Sequence, residues 1–263
     1  MAEQSIRFDD GAAYERVMGR WSQLAGDVFL DWLSPADGLR WLDVGCGNGA
    51  FTELIARRCA PATLHGIDPS EGQLAFARQR PWEHPAQFQQ GDAMSLPWPA
   101  DAFDIAVMAL VTVFVPVPAR GVAEMVRVVR PGGTVAAYMW DMLGGGFPME
   151  AMKVELRALG VTPPLPPSVD ASRLDVIRAL WTGAALEDVA TTEIAVERVF
   201  ADFADFWAGQ MSASIAPTIA GMSAGDVARL QAALRARFPA DDAGRITCSA
   251  RANAVKGRVA DPD

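Results

Sequence analysis

The stretch WLDVGCGNGAF, residues 41–51, decides the fold, because it places three glycines close together directly behind an apolar run. The run contains Asp43 and is typical of a short buried strand, and the residues after the glycines have helical apolar spacing. A strand, a glycine turn and a helix expose backbone N–H groups at the carboxyl edge of a sheet, where no Cβ blocks a ligand. We therefore interpret Gly45, Gly47 and Gly49 as part of a ligand-binding loop.

Two kinds of ligand are compatible with this loop. Gly45, Gly47 and Ala50 also satisfy the GxGxxG/A fingerprint of dinucleotide-binding folds, and Asp68 follows at about the usual spacing of ~20 residues. Asp43 argues against a dinucleotide, because a carboxylate beside the turn repels a pyrophosphate and favours a ligand that carries an ammonium or a sulfonium. The glycines alone do not decide between a nicotinamide-linked oxidoreductase and a protein that binds a cationic nucleoside.

The elements on both sides of the loop alternate between strand and helix. Such strict alternation with short links predicts a parallel sheet with helices on both faces, the doubly wound, Rossmann-like α/β fold. Ser70 is a candidate helix cap, and Asp92 closes the third strand with a second acid that can accept a hydrogen bond from an adenine amine. The predicted strands cover residues 40–45, 63–68, 86–92, 103–110 and 134–140, and the predicted helices cover 50–60, 70–80 and 119–129.

The alternation ends after residue 141, where GGGFP precedes a helical pattern and PPLPP follows it. Strand patterns return at 189–200 and 245–257. We predict an N-terminal helical lid over residues 1–39 and a catalytic domain over 40–263, in which residues 142–186 and 201–243 are helical insertions.

Composition indicates an ordinary globular protein of 263 residues, with 51% hydrophobic residues and a net charge of −9. That charge disfavours a nucleic-acid substrate. The cysteines form neither a CxxC pair nor a Cys/His cluster, so no metal site is expected. The polar start and the absence of a long apolar run predict a cytoplasmic protein that does not cross a membrane.

Four stretches together resemble the class I S-adenosylmethionine-dependent methyltransferases, in particular the small-molecule group with the ubiquinone and menaquinone C-methyltransferases. They are LDVGCGNGAF, GIDPS, GDAMSLPWPADAFDIAVMAL and EMVRVVRPGG, and they cover about residues 40–140. The resemblance implies a seven-stranded sheet whose last strand is antiparallel, and S-adenosylmethionine as the cofactor.

The resemblance also implies roles for individual residues. Asp43 would interact with the methionine ammonium, Asp68 would accept from both ribose hydroxyls, and Asp92 would take the adenine amine. For Asp68 and Asp92, the alternative is capping of the following helix. The implied cofactor-binding set is Asp43, Gly45, Cys46, Gly47, Asn48, Gly49, Asp68, Pro69, Ser70, Asp92, Ala93 and Ala109.

The N-terminal segment YERVMGRWSQL has a helical apolar face. In relatives a comparable segment folds over the cofactor, which makes Tyr14, Met18 and Arg20 candidate lid contacts. The same face could equally be ordinary core.

Transfer of a methyl group by in-line displacement needs alignment and exclusion of water more than a catalytic side chain. Many relatives have a histidine shortly after the fourth strand, where this chain has Val113, which puts oxygen methylation with a histidine base in doubt. Asp141 follows the fifth strand and is a candidate to orient the acceptor or receive its proton. The alternative for Asp141 is a turn cap.

The predicted function is methyl transfer to a small, partly hydrophobic acceptor, with an apolar pocket built from the insertions. The candidate pocket residues are Phe147, Met149, Met152, Phe203, Phe206, Trp207 and Met211. A protein that binds the cofactor without catalysis, as a sensor or partner, is the alternative.

Overall fold

The computed structural model describes residues 15–211 and 215–261, and its central feature is a seven-stranded sheet. The strands at the centre of this sheet are short apolar runs buried on both faces, as expected where helices cover a parallel sheet. The strands are β1 (Arg40–Val44), β2 (Thr63–Asp68), β3 (Ala86–Gln90), β4 (Phe103–Ala109), β5 (Val129–Trp140), β6 (Glu187–Phe200) and β7 (Ile246–Arg258).

The strand order is β3-β2-β1-β4-β5-β7-β6. Strands β1 to β5 are parallel, and β7 runs antiparallel to both of its neighbours. The winding direction reverses between β1 and β4, and open α/β sheets bind ligands at such a point, beyond the carboxyl ends of the strands. The predicted doubly wound sheet of seven strands with an antiparallel last strand is confirmed.

Helices surround the sheet; the predicted Ser70 cap is confirmed, and Ser223 caps a second helix. Ser70 Oγ accepts a hydrogen bond from Gln73 N at 3.3 Å, and Ser223 Oγ accepts one from Asp226 N at 3.1 Å. The helices are α1 (Arg20–Leu33), α2 (Ala50–Arg58), α3 (Glu71–Ala77), α4 (Pro118–Val128), α5 (Glu150–Ala158), α6 (Leu174–Gly183), α7 (Phe203–Gly209), α8 (Ala216–Ala220) and α9 (Ala224–Arg237).

Strand β5 begins five residues earlier than the predicted start at residue 134. Helix α4 ends at Val128, directly before β5, and the segment RPGG lies within β5, where the β4–β5 register shifts between Phe103 and Ile105. Gly133 is required there, since a Cβ would lie 2.5 Å from Val129 Cγ1 and 2.6 Å from the Asp104 carbonyl oxygen. Proline and glycine mark an irregular strand here instead of a break.

Aromatic side chains attach α1 to the sheet. Phe29 of α1 lies 4.6 Å from Tyr138 of β5 between ring centroids, and Phe51 lies 5.7 Å from the same tyrosine. Trp21 contacts Trp140 edge-on at 6.4 Å. These rings are buried, so the N-terminal helix belongs to the hydrophobic core.

An ion cluster joins the amino ends of three parallel strands. Asp104 of β4 accepts hydrogen bonds from Arg40 Nε of β1 at 3.0 Å and from Arg130 Nε of β5 at 2.6 Å. The backbone N–H of Arg40 donates to the same carboxylate at 2.8 Å. Because parallel strands share a direction, this cluster lies at the edge of the sheet opposite to the carboxyl ends.

The two regions predicted as insertions contain helices α5 and α6 and helices α7 to α9. Met149, Met152 and Phe206 from these regions are buried in the hydrophobic core. In the described part of the chain, no helix has the length and apolar character needed to cross a membrane.

Candidate active site

A cavity of about 720 Å³ lies at the carboxyl ends of the parallel strands. It reaches from the glycine loop across the ends of β2 to β4, so it occupies the reversal point of the sheet. Its walls are formed by Ser22, Asp43, Gly45, Cys46, Gly47, Asn48, Ala50, Phe51, Ile67, Asp68, Pro69, Ser70, Gln73, Gly91, Asp92, Ala93, Met94, Ala109, Leu110, Val111, Phe114, Val115, Pro116, Tyr138, Leu165 and Pro167.

The glycine loop adopts a left-handed backbone at Gly45 (φ +76°), Gly47 (φ +51°) and Gly49 (φ +82°), which glycine tolerates best. At Gly45 a Cβ would also lie 2.5 Å from Val111 Cγ2. At Gly47 the nearest atom to a Cβ would be Gln73 Oε1, at 4.0 Å. Gly45 therefore serves the approach of two protein segments, whereas Gly47 leaves open space inside the cavity.

Asp43 is completely buried at the base of the cavity. Its Oδ2 accepts a hydrogen bond from Thr52 Oγ1 at 2.6 Å, and its Oδ1 has no hydrogen-bond partner among the residues that the structure describes. Burial raises the pKa of Asp43 to about 7, against the opposing effect of the Thr52 hydrogen bond and with a smaller contribution from the charge of Asp68. A buried, unpartnered carboxylate oxygen suits a cationic ligand.

Asp68 fixes the loop at the end of β2. Its Oδ2 accepts from Gly47 N at 2.9 Å, and its Oδ1 accepts from Ser70 N at 2.8 Å. Burial raises its pKa, and these two backbone hydrogen bonds oppose the rise. Each carboxylate oxygen keeps a second lone pair, so both can still accept from a ligand hydroxyl. The capping interaction and the ligand interaction are compatible at this residue.

Asp92 ends the third strand region in an exposed position at the cavity wall. Its Oδ1 accepts from Met94 N at 2.8 Å, which holds the carboxylate close to Ala93. Pro69 and Ser70 line the wall on the β2 side. The structure thus brings the predicted adenine-side residues into one cavity.

The remaining loop residues support the turn. Asn48 Oδ1 accepts from Ala50 N at 3.2 Å, and Arg80 Nε donates to Asn48 O at 2.6 Å. Burial raises the pKa of the Cys46 thiol. Gly49 does not line the cavity, because it packs against Trp82.

The other end of the cavity is apolar. Leu110, Val111, Phe114, Val115 and Pro116 follow β4 and line it. Leu165 and Pro167 from the proline-rich segment cover it. None of the insertion residues expected to form the acceptor pocket lines this cavity, so that expectation is corrected.

Asp141 is not among the residues that line the cavity. Its Oδ2 accepts a hydrogen bond from Arg251 Nη2, and its Oδ1 accepts from Gly144 N at 2.8 Å. This placement corresponds to the turn-capping alternative and does not bring Asp141 to the cavity wall. Val113 is also buried outside the cavity wall.

The candidate lid contacts are not brought together at the cavity. Met18 is buried in the hydrophobic core and Arg20 is exposed, and neither lines the cavity. Tyr14 lies outside the described residues. Ser22, one helical turn after Met18, does line the cavity.

Sequence reasoning missed Ser22, Gln73, Tyr138 and the two residues of the proline-rich segment. Tyr138 could have been suspected, because it lies two residues before the end of β5, on the edge where such folds bind ligands. The proline-rich segment carries no local signal of its position. Among the described residues, no group of acidic, histidine or cysteine side chains has the arrangement of a metal site.

Part of the chain matches a known family and several known proteins. Residues 42–137 match a family described as a methyltransferase domain. A 2-methyl-6-phytyl-1,4-hydroquinone methyltransferase of Oryza sativa subsp. japonica is 38% identical over 126 residues, which cover 46% of this chain and 35% of that protein. A ubiquinone biosynthesis O-methyltransferase of Aeromonas salmonicida is 29% identical over 177 residues, which cover 57% of this chain and 72% of that protein.

Solved structures share the fold. The YcgJ protein of Bacillus subtilis superposes with a TM-score of 0.58 at 18% identity, and the match covers 90% of this chain and 99% of that chain. The chain spans about a third to a half of the length of several curated relatives, from 35% to 51%.

Proposed function

We propose that the protein is a class I S-adenosylmethionine-dependent methyltransferase that acts on a small, partly hydrophobic acceptor, since residues 42–137 match a family described as a methyltransferase domain. The observation that carries this proposal is the buried, unpartnered Oδ1 of Asp43 beside the open space at Gly47. A cationic amino-acid group next to Asp43 would supply the missing hydrogen bond and the compensating charge. A pyrophosphate at this position would be repelled by the negative charge of the Asp43 carboxylate.

The fit of the cofactor follows from the donor set on the cavity wall. Asp43 would hold the ammonium, Asp68 would accept from the ribose hydroxyls, and Asp92 would accept from the adenine amine. The backbone at Gly47 would approach the ligand closely, since no Cβ occupies that space. Cys46, Asn48, Pro69, Ser70, Ala93 and Ala109 would complete the cofactor wall.

When bound, S-adenosylmethionine supplies an electrophilic methyl group on a sulfonium sulfur. The chain contributes alignment and exclusion of water. The glycine loop and the three acids would hold the cofactor, and the apolar end of the cavity would position the methyl acceptor. Leu110 and Val111 directly follow Ala109, so the apolar end adjoins the side where the sulfonium is expected.

The relatives support an acceptor of this kind. One relative is named for methylation of a phytyl hydroquinone, and another is named as an O-methyltransferase of ubiquinone biosynthesis. The apolar lining of the acceptor end agrees with a ring or chain of low polarity. The identity of the acceptor, a cytoplasmic location and the exclusion of nucleic acid stay predictions.

The test has two parts. Calorimetric titration of the protein with S-adenosylmethionine should give one site, and Asp68→Asn should weaken binding about 100-fold, since one charge-assisted hydrogen bond to the ribose is lost and the other becomes a neutral one. Asp37→Asn, at an exposed position outside the cavity, is the matched control. Binding of NAD without S-adenosylmethionine would reject the proposal.

The second part separates an enzyme from a binding protein. Incubation with a metabolite library should yield S-adenosylhomocysteine with at least one acceptor. Tight cofactor binding without product across the whole library would favour the non-catalytic sensor instead.

A further inference from the structure

A proline-rich strap, residues 161–168, crosses the apolar end of the cavity. The sequence VTPPLPPS contains four prolines and no regular secondary structure. Proline fixes φ and lacks an N–H, so the strap is stiff but has few backbone donors for anchoring. Ser168 is the first residue after the last proline that can donate from both its backbone and its side chain.

Hydrogen bonds fasten the strap to the segment that follows β4. Ser168 Oγ donates to Val115 O at 2.8 Å, and Ser168 N donates to Val113 O at 3.0 Å. Ala171 lies just beyond the strap, and its carbonyl oxygen accepts a buried hydrogen bond from Thr112 Oγ1 at 3.1 Å. The strap is therefore held against the same segment that lines the apolar end of the cavity.

Leu165 stands at the centre of the strap. It lines the cavity, yet 53% of its surface remains exposed. A single exposed leucine is ordinary, but this one is placed at a cavity wall on a stiff, anchored segment. A ligand group that lay under it would bury this apolar surface.

Leu165 comes from a different part of the sequence than the residues of the cofactor wall. Residues 42–137 match the methyltransferase domain and contribute the glycine loop and the three acids. Leu165 and Pro167 lie outside that match. We infer that Leu165 is a specificity-determining residue that contacts the apolar group of the methyl acceptor, and this inference rests on the proposed function.

The experiment uses 4-methylphenol and 4-hexylphenol as probes, titrated into the full chain saturated with S-adenosylhomocysteine. We expect 4-hexylphenol to bind at least tenfold more tightly than 4-methylphenol, since the longer chain buries more apolar surface. Leu165→Ala should reduce this ratio about fivefold or more, and Leu165→Met should restore it.

Leu143→Ala is the matched control, because Leu143 is 47% exposed and does not line the cavity. Its ratio and its affinity for S-adenosylhomocysteine should equal those of the unchanged protein. The inference is overturned if Leu165→Ala keeps the same ratio as Leu143→Ala, or if the unchanged protein fails to prefer the hexyl probe. Failure to bind S-adenosylhomocysteine would instead reject the proposed function.

Discussion

Asp43 holds a carboxylate where ionisation is costly. Its Oδ2 accepts a hydrogen bond from Thr52, and its Oδ1 is buried with no donor in the described part of the chain. Burial in such a place favours the protonated form, which is why its pKa rises to about 7. A bound ammonium favours the ionised form, so cofactor binding and ionisation of Asp43 should be coupled.

The affinity for S-adenosylmethionine should therefore fall as the pH falls through 7. The ionised fraction of Asp43 drops from about three quarters at pH 7.5 to about a tenth at pH 6, which predicts about eightfold weaker binding. Calorimetric titration at both pH values measures this change. Asp43→Asn should bind S-adenosylmethionine more weakly than the unchanged protein at pH 7.5, and its affinity should differ little between pH 7.5 and pH 6. If the affinity of this variant still fell about eightfold between the two pH values, the coupling would be contradicted.

At the scale of elements, the glycine loop combines two different demands on glycine. Gly45 lets the loop after β1 approach Val111 after β4, and Gly47 leaves space for a ligand. The spacing of the glycines predicted the loop, but the partner of Gly45 depends on a contact between segments far apart in the chain.

Substitution should separate these demands. Gly45→Ala should lower the free energy of unfolding by about 3 kcal/mol, because strain at positive φ adds to the clash with Val111. Gly47→Ala should cost only about 1 kcal/mol in stability and yet weaken cofactor binding. Urea unfolding and calorimetric titration measure the two effects.

Gly145→Ala is the control for backbone strain alone. Gly145 has φ +82°, meets open space where a Cβ would lie, and does not line the cavity. The free energy of unfolding of Gly145→Ala should equal that of Gly47→Ala, and its affinity for the cofactor should equal that of the unchanged protein. Equal binding in all three variants would contradict a ligand role for Gly47.

Local pattern predicted elements well where the chain alternates regularly. Strand β2 and the Ser70 cap follow directly from apolar spacing and a hydroxyl at the helix start. The predicted start of β5 at residue 134 was wrong because the proline and glycines of RPGG mark turns and strand irregularities alike. Only the pairing of β5 with β4 distinguishes these two outcomes.

At the scale of the whole molecule, the two edges of the parallel sheet carry opposite charge arrangements. At the carboxyl edge, Asp43, Asp68 and Asp92 line the cavity. At the amino edge, Asp104 forms ion pairs with Arg40 and Arg130. These hydrogen bonds hold the pKa of Asp104 well below its usual range.

Asp104→Asn should lower the free energy of unfolding by about 2 kcal/mol at pH 7, since charge-assisted hydrogen bonds are lost. A depressed pKa in the folded protein stabilises it above the unfolded value, and this stabilisation is lost as the pH falls below about 4. Urea unfolding at pH 7 and pH 3 should show the difference shrinking. Asp175→Asn, in an exposed ion pair, should change little at either pH.

The residues proposed to bind the cofactor could be identified in the sequence because they occupy short motifs at strand ends. The acceptor end could not, because Leu165 and Tyr138 reach the cavity through the packing of the whole chain. Of the apolar insertion residues predicted to form a pocket, Met149, Met152 and Phe206 are buried in the core, and the other four pack against it. The hydrophobic effect favours burial of any large apolar side chain, so the sequence pattern does not distinguish a pocket wall from an interior.

The anchored strap has an evolutionary consequence. It reaches the cavity from a connection after β5, whereas the motifs for the cofactor precede that point in the chain. On the proposed function, mutations in the strap would therefore accumulate without disturbing the cofactor wall. A library of chimaeras that exchanges only this connection among homologues should yield new acceptor preferences on an unaltered cofactor half.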